Sequence, residues 1–216
     1  MTVHMCLHVS FSGLYLITGI CLVLFIACCM IYVQKPDLQP VHLQGNVNPI
    51  LKCPSHKGCT FDQFAFYIRS GVANVVPPKI CFQGKVIISA ANMNTGPGLN
   101  IALLDNKTGN VVSSEFHFQE SDLLDFLRGI MPGHIILIAS YDNPASMLTG
   151  EIREIFMGLG SSIIQRVGAR DSWVFAVQKG SKERPFEKYI PNDEKTNTYK
   201  EWTDYIELSG CLSKRI

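Results

Sequence analysis

The sequence predicts an α+β sandwich, and three observations carry that expectation. Two uninterrupted apolar runs, Ile135-Ile136-Leu137-Ile138-Ala139 and Trp173-Val174-Phe175-Ala176-Val177, read as strands buried on both faces. Hairpin patterns come before them, and helical patterns alternate with them. At 216 residues, 47% hydrophobic and only 17% charged, the chain can bury one substantial core.

Residues 1–34 contain no Asp, Glu, Lys or Arg, and residues 11–33 are close to continuously apolar. Such a stretch is a targeting or membrane segment and stands apart from the fold. The run is long enough to span a bilayer, while small residues around Ala27-Cys28-Cys29 suit a peptidase. Residues 1–33 are therefore expected to be a signal peptide or a signal anchor. Cleavage gives a secreted, extracellular protein, and retention gives a type II anchor in the secretory pathway. A membrane is a partner only in the second case. Residues 34–52 hold Pro36, Pro40, Asn46, Asn48 and Pro49 without periodicity and read as a linker, leaving 53–216 as the ordered domain.

Within that domain, residues 61–68 alternate as a strand, with Phe64, Phe66 and Ile68 on one face. Gly71, Asn74 and Pro77-Pro78 break the chain, and 80–89 reads as a hairpin turning at Gln83-Gly84. A strand over 99–104 reaches the turn Asp105-Asn106-Lys107-Thr108-Gly109, and 111–118 returns from it. Asn106-Lys107-Thr108 is the only N-glycosylation sequon, and its place at a hairpin tip leads to the expectation of a glycan on Asn106. Ser121 is a natural N-cap for a helix over 122–130, with Leu123, Leu124 and Leu127 on one side and Pro132-Gly133 as its stop. The first buried strand spans 134–141. A longer helix is expected over 149–167, its inward face built from Ile152, Ile155, Phe156, Leu159 and Ile163, with Gly158 and Gly160 weakening it. The second buried strand follows. Residues 181–202 are polar, so the end of the chain needs a tether.

Four of the eight cysteines, Cys6, Cys21, Cys28 and Cys29, lie in the targeting segment. The remaining Cys53, Cys59, Cys81 and Cys211 are an even set in an oxidising compartment, which allows three disulfide pairings. The spacing of Cys53 and Cys59 is too wide for a zinc knuckle, and no second half-site follows.

The search for chemistry is mostly an exclusion. A net charge of +1 and no basic patch interleaved with aromatics argue against a nucleic-acid partner. Gly96-Pro97-Gly98 precedes a strand and Gly158-Leu159-Gly160-Ser161 falls in a helical pattern, so neither cradles a phosphate. No G-x-S-x-G occurs. His42, His56, His117 and His134 have no metal-ligand partner at i+2 or i+4, and His134 reads as a hydrogen-bonded structural residue. No catalytic residue, metal or cofactor is expected, and the chain is not expected to be an enzyme. What remains is the meeting of strand ends. If the two buried strands are antiparallel neighbours, Asp142, Arg170 and Asp171 form a charged cluster. It is either an ion-pair network that fixes register or one wall of a pocket for a hydroxylated ligand.

Cys53…Cys59, Phe64-Ala65-Phe66, Ser70-Gly71-Val72-Ala73-Asn74-Val75, Ile80-Cys81, Gly98-Leu99-Asn100-Ile101-Ala102-Leu103, Ser140-Tyr141-Asp142, Leu159-Gly160-Ser161-Ser162, Arg170-Asp171-Ser172-Trp173-Val174-Phe175, Pro185-Phe186-Glu187 and Gly210-Cys211 occur in that order. Together they resemble the secreted cytokine-like family of interleukin-like EMT inducer and pancreatic-derived factor. The resemblance implies a GG-type domain, a compact sandwich of two mainly antiparallel sheets lined by short α-helices. It also implies a non-catalytic signalling role through a cell-surface receptor, and disulfides Cys53–Cys81 and Cys59–Cys211. The same domain type is similar to the lectin-like stem of the O-mannose N-acetylglucosaminyltransferase. That similarity implies an alternative, a carbohydrate-binding module with a glycan partner, and two of its sugar-holding positions match Asp142 and Arg170. A third, an arginine, is Pro97 here, and Asn143 replaces a second aspartate.

Overall fold

The structure is a computed structural model that describes residues 24, 53–54 and 58–214. The targeting segment (1–33) and the linker (34–52) thus fall outside the described residues, residue 24 excepted. Every element below lies in the unit Val47–Ile216. The strands are β1 (Gln63–Arg69), β2 (Lys79–Phe82), β3 (Lys85–Ile88), β4 (Gly98–Asp105), β5 (Val111–His117), β6 (His134–Tyr141), β7 (Ser172–Gln178), β8 (Phe186–Ile190) and β9 (Glu207–Ser213). The α-helices are α1 (Glu120–Gly129) and α2 (Gly150–Gly158). Strand order is β3-β2-β1-β9 in one sheet and β5-β4-β6-β7-β8 in the other. Every pairing within them is antiparallel. The expected α+β sandwich of two antiparallel sheets with short helices is the observed fold.

The unbroken apolar runs have a simple cause. One face of the five-stranded sheet sets Ala102, Leu104, Ile135, Leu137, Ala139, Val174 and Ala176 against Phe64, Phe66, Ile68, Ile80 and Phe82 of the other sheet. Its opposite face sets Leu99, Ile101, Ile136, Ile138, Trp173 and Phe175 against Leu123 and Leu127 of α1 and Ile152 and Phe156 of α2. A sheet covered on both sides selects apolar residues at successive positions, which erases alternation. β1 keeps its alternation at Phe64, Phe66 and Ile68 because its sheet is covered on one side by the other. No helix among the described residues is long and apolar enough to cross a membrane.

Three local expectations are corrected. α1 starts at Glu120, with Gln119 as an N-cap that makes no side-chain bond, so Ser121 lies inside the first turn. α2 ends at Gly158, far short of residue 167, because the chain turns at Gly160 in a left-handed conformation (φ 97°). A separate 3₁₀ turn, Ile164–Arg166, follows. Arg153 ties the two together by donating to the carbonyls of Leu148 (2.9 Å), Val167 (2.8 Å) and Ile164. The polar tail also contains two strands not predicted from the sequence, β8 and β9. β9 pairs with β1 along its whole length, from Gln63↔Ser213 to Arg69↔Glu207.

The disulfides are Cys53–Cys81, separated by 28 residues, and Cys59–Cys211, separated by 152. Their Cα–Cα distances of 6.0 and 5.5 Å sit within the usual range. The second bond is the tether that the polar tail required.

Candidate functional site at the ends of the central strands

β6 and β7 run antiparallel with Ala139 opposite Val174. The end of one therefore lies beside the start of the other, and Asp142 comes next to Arg170-Asp171. Both Asp142 (φ 59°) and Arg170 (φ 63°) hold left-handed backbone, which residues with a Cβ seldom adopt. The neighbouring β1–β2 loop closes over this corner. A Cβ on Gly71 would meet the Tyr141 ring at 2.1 Å, so only glycine permits the approach. Gly71 N–H donates to Ser140 O (2.8 Å), and Asp142 N–H to Ala73 O (3.2 Å).

The three side chains then go separate ways. Asp171 is 6% exposed and accepts three bonds: from Gly168 N–H (2.6 Å), Tyr189 O–H (2.7 Å) and Asn192 N–H (2.7 Å). Its carboxylate laces the loop before β7 to β8 and to the segment after β8. Burial first, and then the bond to Asp171 and its charge, push the Tyr189 phenol up to about 12. Arg170 reaches the surface, where Nη1 sits 3.3 Å from Glu201 Oε2 and the guanidinium lies 4.5 Å from the centre of the Trp202 ring. Asp142 is half-buried beside Tyr141, whose phenol is raised by burial and then by the Asp142 charge. The expectation of one ion-pair network through Asp142, Arg170 and Asp171 is corrected: among the described residues, the ion partner of Arg170 is Glu201. Glu201 and Trp202 went unrecognised in the sequence, and the one visible hint was a tryptophan in a tail otherwise polar.

The next layer explains why the corner is rigid. Ser140 Oγ accepts from Trp173 N–H (2.8 Å), and Ser172 Oγ donates to Asp204 O (2.8 Å). Trp173 Nε1 donates to Glu187 Oε1 (2.9 Å), and Glu187 also accepts from Ser162 N–H (2.9 Å) and the Ser161 hydroxyl. No group of three His, Cys, Asp or Glu side chains suited to a metal occurs among the described residues.

Two outcomes follow for Asp171 and its ring partner. Asp171→Asn is expected to cost about 2–3 kcal/mol, because it removes the charge from three hydrogen bonds to a buried carboxylate; urea unfolding measures it. The second concerns alkaline pH. A raised phenol pKa means that the folded state holds a proton the unfolded chain releases from about pH 10. The contribution is complete below pH 10 and is lost as pH rises towards 12. Thermal melts across pH 9–12 are expected to fall in that window, less steeply in Tyr189→Phe.

The structure also places Asn106. Its side chain is 1% exposed, with neither amide atom bonded. The sequon sits at the hairpin tip as expected, but its asparagine turns inward. The side chain that would carry the glycan expected on Asn106 is thus buried in this structure. His134, expected to be hydrogen-bonded, is buried with Nδ1 unpartnered.

The family model of interleukin-like EMT inducer matches residues 97–181, the span from β4 through β7. Among similar curated proteins, Protein FAM3C of Danio rerio is 44% identical over 166 residues, covering 74% of this chain and 73% of that one. Protein FAM3C of Homo sapiens is 40% identical over 172 residues, covering 77% and 76%. Protein FAM3D of Mus musculus is 40% identical over 173 residues, covering 78% of each. With about 40% identity over some three quarters of its length, the chain belongs to the interleukin-like EMT inducer (FAM3) family.

Proposed function

We propose that the chain is a secreted cytokine- or hormone-like ligand that acts on a cell-surface receptor and performs no catalysis. Membership in the interleukin-like EMT inducer family is the observation that carries this reading. Two disulfides, one closing a loop across nearly the whole domain, suit an extracellular protein. The buried carboxylate best placed for acid–base work, Asp171, is committed to three structural bonds. The charge-free N-terminal segment supplies the route to the secretory lumen. Sequencing the N-terminus of protein recovered from medium tests release: a start after the apolar segment supports it, and retention of the whole segment in the cell pellet contradicts it.

A second reading, a carbohydrate-binding module, has one observation in its favour. Asp142 and Arg170, at the ends of neighbouring strands, both hold costly left-handed backbone, as binding residues often do. A glycan array decides between the two. Receptor signalling by the purified domain with a flat array supports the ligand reading. Saturable sugar binding lost in Arg170→Ala and Asp142→Ala, without signalling, supports the module.

A further inference from the structure

Buried polar side chains in native proteins nearly always find a partner. Among the described residues, six buried side-chain nitrogen and oxygen atoms lack one, and three of the six lie together: Asn106 Nδ2, Asn106 Oδ1 and His134 Nδ1. Asn106 is 1% exposed and His134 8%. Both line a cavity of about 350 Å³ between the β4–β5 turn (Asp105, Lys107) and the turn that leads into β6 (Met131, Pro132, Gly133). The register of β4 against β6, which sets Asp105 opposite His134, holds the two walls together.

The local backbone does not use these atoms. Asp105 Oδ1 accepts from Lys107 N–H, Thr108 N–H and Thr108 O–H and so closes its own turn. Gly133 N–H donates to Lys179 O (2.8 Å), and His134 O accepts from Lys179 N–H (2.9 Å). These main-chain groups are satisfied while the side chains are not, in a space at the small end of ligand sites, about 300–1,000 Å³.

We propose that this cavity is a binding site for a small neutral hydroxylated molecule, a polyol or a single sugar ring. Once uncovered, the amide offers an acceptor and a donor side by side, which matches two adjacent hydroxyls, and His134 Nδ1 serves a third. Met131 and Pro132, both exposed, supply an apolar wall for the C–H face of such a ligand. Asp105 and Lys107 bring opposite charges to the lining, so the site favours no net charge. The amide atoms are shielded from solvent, so binding entails a small shift of the β4–β5 turn. The site is distinct from the Asp142–Arg170 corner. His134 opens β6 and Asp142 follows its end, about 26 Å away by strand rise.

The test is a titration of the full secreted chain, followed by amide NMR, with D-mannose, D-galactose, N-acetylglucosamine and myo-inositol in turn. The expected result is saturable shifts for at least one probe, confined to residues 105–110 and 131–134. Binding is expected to weaken at least tenfold in Asn106→Leu and several-fold in Met131→Asp, whose exposed position leaves the fold intact. Asn106→Leu is also expected to melt at or above the parent temperature, since it removes two unpaired buried atoms. The proposal is overturned if no probe saturates, if the shifts map to Asp142 and Arg170, or if Met131→Asp binds unchanged. It is equally overturned if Asn106→Leu melts well below the parent, or if mass spectrometry of the secreted chain finds a glycan on Asn106.

Discussion

Replacing Cys59 and Cys211 together by serine is expected to lower the melting temperature by about 10–20 °C. The bond closes a loop of 152 residues. In the chain-entropy account, that closure removes roughly 5 kcal/mol of freedom from the unfolded chain, and each kcal/mol shifts Tm by about 2–4 °C in a domain of this size. The bond also has a local task. Cys211 lies on β9, opposite Ala65 of β1, and β9 is the strand that the polar tail must carry back across the domain. Without the tether, an edge strand with few apolar residues pays the whole cost of its own ordering. Cys53–Cys81 closes a loop of 28, for which the same account gives roughly 3.5 kcal/mol. Calorimetry of the two double-serine variants should therefore rank them with the Cys59–Cys211 loss as the more damaging. The reverse ranking would count against the tether.

Trp173→Ala is expected to cost about 3–5 kcal/mol, with a Tm drop of about 10–15 °C. Trp173 is fully buried under α2, stacked on Phe175 at 5.4 Å between ring centroids and met edge-on by Phe156 at 5.4 Å. Truncation opens a cavity at the centre of the middle layer and also removes the indole N–H from Glu187. Three residues earlier, Arg170→Ala should cost no more than about 1 kcal/mol. Its pairing with Glu201 is solvent-exposed, and such pairs contribute little. Urea unfolding of both variants separates the core half of Arg170-Asp171-Ser172-Trp173-Val174 from its surface half. Equal losses would contradict that division.

How much of this could be read from residue order follows the physics of each element. β6 and β7 were legible because burial on both faces leaves a run of apolar residues that polar loops cannot imitate. β8 and β9 were not: both are edge strands, β8 is half-exposed or exposed along its length, and the buried face of β9 is only Leu208, Gly210 and Leu212, its middle position without a side chain. The end of α2 was misjudged because Ile163 keeps helical spacing, although Gly160 had already turned the chain. The pairing of strand ends at Asp142 and Arg170 was foreseeable from two neighbouring buried strands. The destination of each side chain was not, because Glu201, Trp202, Tyr189 and Asn192 arrive from a tail remote in sequence. Asn106 is the same lesson in reverse. A hairpin tip is normally open to solvent, yet here the asparagine at the tip is buried.

Equilibrium binding of the labelled, disulfide-intact domain to intact cells tests the central claim most directly, before and after mild protease or glycosidase treatment of the cell surface. A receptor ligand should bind saturably, lose its sites to protease and keep them after deglycosylation. Binding that survives protease but vanishes with the glycans would contradict the account.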